Sequence, residues 1–128
     1  MTYLVDSDWL IDATIGRLPA LQLVNRLRVA GVAISVISVA EVSEGAYRAP
    51  DPARALAAFH EFLSTFPTYQ ITVAIAEKFA TTRATLRRQG LLIPDMDLLI
   101  AATALEHDLT LVTRNQSHFA RIPGLRLQ

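Results

Sequence analysis

Residues 3–12 read Y-L-V-D-S-D-W-L-I-D and place a strand signal directly before a helix signal. The apolar run Tyr3–Val5 predicts a short buried strand, and residues 8–15 predict a helix that ends near Gly16. Asp6 stands between them, where the strand meets the helix. The same order of apolar run, polar residue and helix recurs along the chain, so this segment indicates how the whole fold is built.

Strand and helix signals alternate from one end of the chain to the other. Further strands are predicted at residues 32–36, 69–71, 109–112 and 125–127, and the strands read as continuous apolar runs. Helices are predicted over residues 20–30, 38–47, 53–66, 72–89 and 94–107. This alternation predicts an α/β fold, with helices packed around a mainly parallel sheet.

Composition limits the classes of protein that need to be considered. The 128 residues suit a single domain, residues 1–128. The twelve basic and twelve acidic residues balance, so the net charge neither favours nor excludes nucleic-acid binding. The absence of cysteine excludes a disulfide scaffold and fits a cytoplasmic protein. Acids at Asp6, Asp8 and Asp12 argue against a signal peptide, and the charge-free stretch 29–40 is too short to cross a membrane.

The mean hydropathy of +0.31 is high for a small domain. Two explanations remain open at this stage. Surplus apolar surface would indicate a dimer interface or a groove for a partner. An alanine-rich helical core would raise the same value without any exposed apolar surface.

Polar residues cluster where the predicted parallel strands end. Asp6 ends the first strand, Glu41 lies just beyond the second, and Thr113-Arg114-Asn115 ends the strand at 109–112. Ligands of such sheets bind beyond the carboxyl ends of the strands, so these residues are expected at one edge. Asp97 follows no strand. It opens a helix that reads L-L-I-A-A-T-A-L, which is apolar nearly all round and hence buried, so Asp97 should point into the interior or a cleft.

Each of these acids also has a purely structural explanation. Asp6 or Asp8 can cap the helix that follows, and Ser38 with Glu41 fits the capping box S-x-x-E. Asp95 and Asp97 both suit the first turn of a helix, where the helix dipole favours acids. Residues two apart do not share a helix face, so Asp95 and Asp97 are not expected to point into one site with equal directness.

The types of residue present favour one kind of chemistry over others. A site made of carboxylates favours Mg²⁺ or Mn²⁺, and such a cation suits phosphoester chemistry. The three histidines have no metal-ligand spacing and no serine or cysteine partner that would form a hydrolytic triad. The chain also lacks the glycine-rich loops that bind dinucleotides or nucleoside triphosphates.

Taken together, these segments resemble the PIN domain, and more closely the VapC toxins of bacterial and archaeal toxin–antitoxin pairs. The resemblance is carried by the strand ending in Asp6, by S-x-x-E at 38–41, by D-L-L-I-A-A-T-A-L at 97–105 and by L-V-T-R-N-x-x-H-F at 111–119. It covers nearly the whole chain. It implies a PIN-like α/β/α sandwich and an endoribonuclease that uses Mg²⁺ or Mn²⁺ and a metal-activated water. It also implies a homodimer that is silenced by a VapB-type antitoxin.

The resemblance also assigns roles by position. Asp6, Glu41 and Asp97 would be the catalytic, metal-binding acids, and Asn115 stands where the family often has a fourth acid. A further set would surround the metal ligands or contact the RNA substrate: Asp8, Asp95, Thr113 and Arg114. Asp8 departs from the frequent Asn, and His118 departs from the Asp that often precedes Phe, which is expected to be a loop change without consequence.

Two other functions remain open on the sequence alone. One is a PIN nuclease with a housekeeping role in RNA processing. The other is a non-catalytic PIN-like module that binds RNA or a protein. The intact acid trio argues against the second, and a small antitoxin-like reading frame directly upstream would separate a toxin from the first.

Overall fold

A computed structural model describes residues 1–128, and its strands form one sheet in which every pairing is parallel. The strands are β1 Tyr3–Val5, β2 Val32–Ser35, β3 Thr68–Tyr69, β4 Thr110–Val112 and β5 Arg126–Leu127, in the spatial order β3-β2-β1-β4-β5. β1 therefore lies at the centre, between β2 and β4. The carboxyl ends of these three strands meet at one edge of the sheet.

Helices connect the strands and cover both faces of the sheet. They are α1 Ser7–Thr14, α2 Leu18–Leu27, α3 Val36–Tyr47, α4 Pro52–Leu63, α5 Val73–Gln89, α6 Asp95–Glu106 and α7 Gln116–Phe119, with a 3₁₀ turn at Arg28–Ala30. The predicted α/β sandwich around a parallel sheet is confirmed. None of the helices has the length and the hydropathy that are needed to span a membrane.

The sheet divides the core into two layers because successive strand residues point to opposite faces. Val5 of β1 packs with Leu10, Val24 and Val42 of the helices α1, α2 and α3. Its neighbour Leu4 packs on the other face, in a cluster to which α6 contributes four buried residues and α5 and α7 one each. α6 contributes six buried residues to the interior, as its apolar sequence predicts.

The second strand ends earlier, and the third helix begins earlier, than the sequence indicated. Ser35 is the N-cap of α3, and its hydroxyl accepts a hydrogen bond from the Ile37 amide at 3.0 Å. Ser38 lies within the helix, and its buried hydroxyl has no partner. The capping box that S-x-x-E predicted at Ser38 is therefore wrong, because a serine three residues earlier already caps the helix.

Candidate active site

A cavity of about 530 Å³ opens at the carboxyl edge of the sheet, and acidic side chains line it. The structure brings together residues from β1, α1, α3, α6 and the end of β4. The polar residues of the lining are Asp6, Ser7, Asp8, Glu41, Glu44, Arg48, Asp97 and Asn115. All three acids that the sequence singled out, together with Asn115, thus share one cavity.

Asp6 is the most buried of these acids, at 7% exposed. The Ser7 amide donates to its Oδ1 at 2.8 Å, and the Thr113 hydroxyl donates to its Oδ2 at 2.7 Å. Burial raises the pKa of Asp6 to about 6; the charges of Asp8 and Asp97 act in the same direction, and the two hydrogen bonds oppose them. The ionised form of Asp6 is therefore disfavoured relative to an exposed carboxylate, and a bound cation would stabilise it. Asp6 is the N-cap of α1 and also lines the cavity. Its capping role and its place in the site are therefore compatible.

Glu41 faces α1 across the cavity and is held there by Ser7. The Ser7 hydroxyl donates to Glu41 Oε1 at 2.6 Å, while the Ser7 amide bonds Asp6. One serine thus ties two acids together. Ser7 was not among the residues predicted from the sequence; the available signal was its position directly after Asp6, at the first residue of α1.

Asp97 and Asp95 both lie in the first turn of α6 but have different surroundings. The Asp97 side chain is 19% exposed and lies 3.2 Å from His118 Nδ1. The Asp95 side chain is 63% exposed and pairs with Arg83 of α5 at 3.0 Å. Only Asp97 lines the cavity, which is the separation that the helix geometry predicts.

Thr113 and Asn115 extend the site from the end of β4. Thr113 is 3% exposed, and its hydroxyl oxygen accepts a hydrogen bond from the Asn115 amide at 3.0 Å while donating to Asp6. Asn115 then directs its side-chain nitrogen to His118 Nδ1 at 2.8 Å. The loop predicted around His118 is wrong: residues 116–119 form α7, which the fully buried Phe119 anchors.

Asp8 and Arg114 sit at one side of the cavity. Asp8 accepts hydrogen bonds from the Trp9 amide at 2.7 Å and from the Arg114 amide at 3.2 Å. The Arg114 guanidinium lies over the Trp9 ring at 3.9 Å and pairs with Asp12 at 2.7 Å. The arginine that lines the cavity is Arg48, which pairs with Glu44 at 3.0 Å.

The donor set fits a hard divalent cation. Five carboxylates and the amide of Asn115 offer oxygen, and only one guanidinium opposes their charge. No three acidic or histidine side chains converge on one point as arranged. Two of the acids are already engaged in hydrogen bonds, Asp6 with Thr113 and Glu41 with Ser7, while Asp97 lies 3.2 Å from His118 Nδ1.

Comparison with known proteins identifies the class. The sequence profile of the PIN domain matches residues 3–125, which is nearly the whole chain. The chain therefore belongs to the PIN domain family, whose members share this parallel sheet and a nuclease fold.

Relatives narrow the class further. Ribonuclease VapC2 of Haemophilus influenzae is 32% identical over 130 residues, covering 100% of this chain and 97% of that protein. The tRNA(fMet)-specific endonuclease VapC of Shigella flexneri is 34% identical over 95 residues, or 74% of this chain and 72% of that protein. The crystal structure of VapBC2 from Rickettsia felis bound to a promoter DNA fragment superposes with a TM-score of 0.91 at 27% identity, covering 100% and 98% of the two chains. The chain is thus a nuclease of the VapC group.

Proposed function

We propose that residues 1–128 form a single PIN domain that acts as a divalent-metal-dependent endoribonuclease, the toxin of a VapBC-type pair. Asp6, Glu41 and Asp97, with Asn115, would hold Mg²⁺ or Mn²⁺. The observation that carries the proposal is the cavity whose lining offers oxygen ligands and in which burial raises the pKa of Asp6 to about 6. When bound, the cation supplies a water of lowered pKa and neutralises charge at the scissile phosphate.

The chain's own residues give this site its rigidity. Ser7 fixes Asp6 through its amide and Glu41 through its hydroxyl. Asp97 stands on α6, whose next turns are buried in the core. Acids held on rigid elements need little rearrangement when the reaction begins.

Positive charge for the substrate comes from Arg48. Arg48 lines the cavity, its side chain is 74% exposed, and Glu44 is its ion-pair partner. An exposed guanidinium exchanges a surface carboxylate for an RNA phosphate at little cost. Arg48 would therefore orient the RNA backbone beside the acids, while Arg114 remains on Trp9.

The relatives supply the substrate and the partner of the proposal. The Shigella protein is named for cleavage of tRNA(fMet), and the Rickettsia structure is a VapBC2 complex. We propose RNA as the substrate, a VapB-type antitoxin as the inhibitor, a homodimer as the assembly and the cytoplasm as the site of action. A housekeeping PIN nuclease would use the same acids without an antitoxin, so only genomic context and growth assays separate the two.

Metal-dependent cleavage is the first expected result. Purified protein should cut total RNA in Mg²⁺ or Mn²⁺, and EDTA should lower the rate by at least about a hundredfold, because the acids alone offer no activated water. Mapping the RNA 5′ ends measures the cleavage. Restoring excess Mg²⁺ to the chelated sample is the control, and cleavage that persists undiminished in EDTA would refute the metal site.

The toxin role has a separate expected result. Strong expression of the chain alone should arrest growth, co-expression of a VapB-type antitoxin should restore it, and light scattering of the purified protein should give twice the mass of one chain. Normal growth with active RNA cleavage in vitro would favour the housekeeping nuclease instead. A monomer over a wide range of concentration would contradict the homodimer.

A further inference from the structure

A series of polar contacts runs around the cavity from Asp6 towards Asp97. Asp6 accepts a hydrogen bond from the Thr113 hydroxyl, which in turn accepts one from the backbone N–H of Asn115. The Asn115 side chain then contacts His118, and His118 contacts Asp97. His118 thus links the end of β4 to the start of α6, although it does not line the cavity itself.

One ring nitrogen of His118 contacts both a hydrogen-bond donor and a hydrogen-bond acceptor. Nδ1 lies 2.8 Å from Asn115 Nδ2, a donor, and 3.2 Å from Asp97 Oδ2, an acceptor. A ring nitrogen either carries a proton or offers a lone pair, so it cannot serve both. The shorter contact places the lone pair on Nδ1 and the proton of the neutral ring on Nε2.

This tautomer determines how Asn115 presents its amide. Because the NH₂ group of Asn115 is engaged by His118, the carbonyl oxygen of the same amide remains for the cavity that Asn115 lines. The backbone of Asn115 is fixed as well. Its backbone N–H donates to the Thr113 hydroxyl, and its backbone carbonyl accepts from the Phe119 N–H. The contact with His118 then determines the side-chain torsion of Asn115.

We propose that His118 is a positioning residue of the metal site, an inference that rests on the proposed function. Its Nδ1 lone pair holds the NH₂ group of Asn115 so that Asn115 Oδ1 becomes an oxygen ligand. The same lone pair offers Asp97 no proton, so both oxygens of Asp97 stay available to the cation. Groups that orient metal ligands in this way change metal affinity by roughly ten- to a hundredfold when removed.

The test measures Mn²⁺ binding by calorimetry without RNA, near pH 8. His118→Ala should weaken Mn²⁺ binding at least about tenfold. His118→Gln should restore binding to within about threefold, since its amide oxygen accepts from Asn115. His60→Ala, an exposed histidine on α4, is the matched control and should leave binding unchanged.

Two further measurements separate positioning from a general loss of structure. In a double-mutant cycle, His118→Ala should have no added effect in an Asn115→Ala background, because His118 acts through Asn115. Nitrogen NMR of the metal-free protein should show the His118 ring protonated on Nε2, with slowed exchange of the Asn115 side-chain protons that His118→Ala abolishes. Additive effects in the cycle, or a ring protonated on Nδ1, would overturn the inference.

Failure of the inference can be told from failure of the proposed function. If the wild-type protein binds Mn²⁺ and cleaves RNA while His118→Ala binds Mn²⁺ equally well, only the role of His118 is overturned. If the wild-type protein neither binds Mn²⁺ nor cleaves RNA, the proposed function falls and the inference falls with it.

Discussion

Replacing Asp6 with asparagine is expected to abolish RNA cleavage and, in the same molecule, to stabilise the metal-free fold above about pH 6. Asp6 would be a metal ligand at the centre of the acid cluster, so we expect the rate to fall at least about a thousandfold, roughly 4 kcal/mol of barrier. Stability moves in the other direction because the ionised carboxylate is buried among other acids. One substitution is therefore expected to lower the cleavage rate and to raise the stability of the metal-free fold.

The pH range of the stability effect follows from the raised pKa of Asp6. In the folded protein this pKa is about 6, above the ordinary value of 3.8. A carboxyl group with a raised folded-state pKa gives its full contribution to stability below about pH 4, and that contribution is lost as the pH rises through 6. The loss for Asp6 is at most roughly 3 kcal/mol. The hydrogen bond from Thr113 that asparagine disturbs offsets about 1 kcal/mol of the expected gain.

Denaturant unfolding in EDTA at pH 4 and at pH 8 measures this effect. At pH 4 Asp6→Asn should be less stable than wild type by about 1 kcal/mol, because only the disturbed Thr113 hydrogen bond counts there, and at pH 8 it should be the more stable. Asp108→Asn is the matched control, because the Asp108 side chain is 86% exposed and pairs with Arg126. Equal pH dependence of wild type and Asp6→Asn would show that burial does not strain the Asp6 carboxylate.

The sequence predicts the sheet edge well because its signals there are local. A buried run such as Tyr3–Val5 identifies a strand by its own composition, and parallel strands bring their carboxyl ends together whatever the details of packing. The order of strands and helices alone therefore places Asp6, Glu41 and Asn115 near one another. Asp97 is placed by a different signal, the apolar helix that follows it.

The remaining parts of the site depend on contacts between distant segments. Ser7 bonds Glu41 across 34 residues, and His118 contacts Asp97 across 21. The sequence around these residues contains no local pattern that predicts either contact. The misplaced capping box at Ser38 has a local cause, since Ser35 and Ser38 both suit a cap and only the end of β2 decides between them.

Asp97→Asn is expected to destroy cleavage, whereas Asp95→Asn should keep at least about a tenth of it, a barrier change under roughly 1.4 kcal/mol. Both changes replace a carboxylate with its nearly isosteric amide in the same helical turn. Asp97 lines the cavity and contacts His118, so losing its charge removes a proposed metal ligand. Asp95 points to α5 and pairs with Arg83 on the surface, where an ion pair contributes at most about 1 kcal/mol of stability.

Single-turnover cleavage by the two variants, with Mn²⁺ affinity measured in parallel, decides between these roles. Asp97→Asn should lose affinity for Mn²⁺ together with cleavage, because the charge it removes lies inside the cavity. Asp95→Asn should keep wild-type Mn²⁺ affinity and lose only the contact to Arg83, which Arg83→Gln should reproduce. Each substitution thus serves as the control for the other, since helix propensity, side-chain volume and the helix dipole change alike in both. The reverse order of activities would place Asp95 on the cavity side of α6 and move the metal site one helix face away.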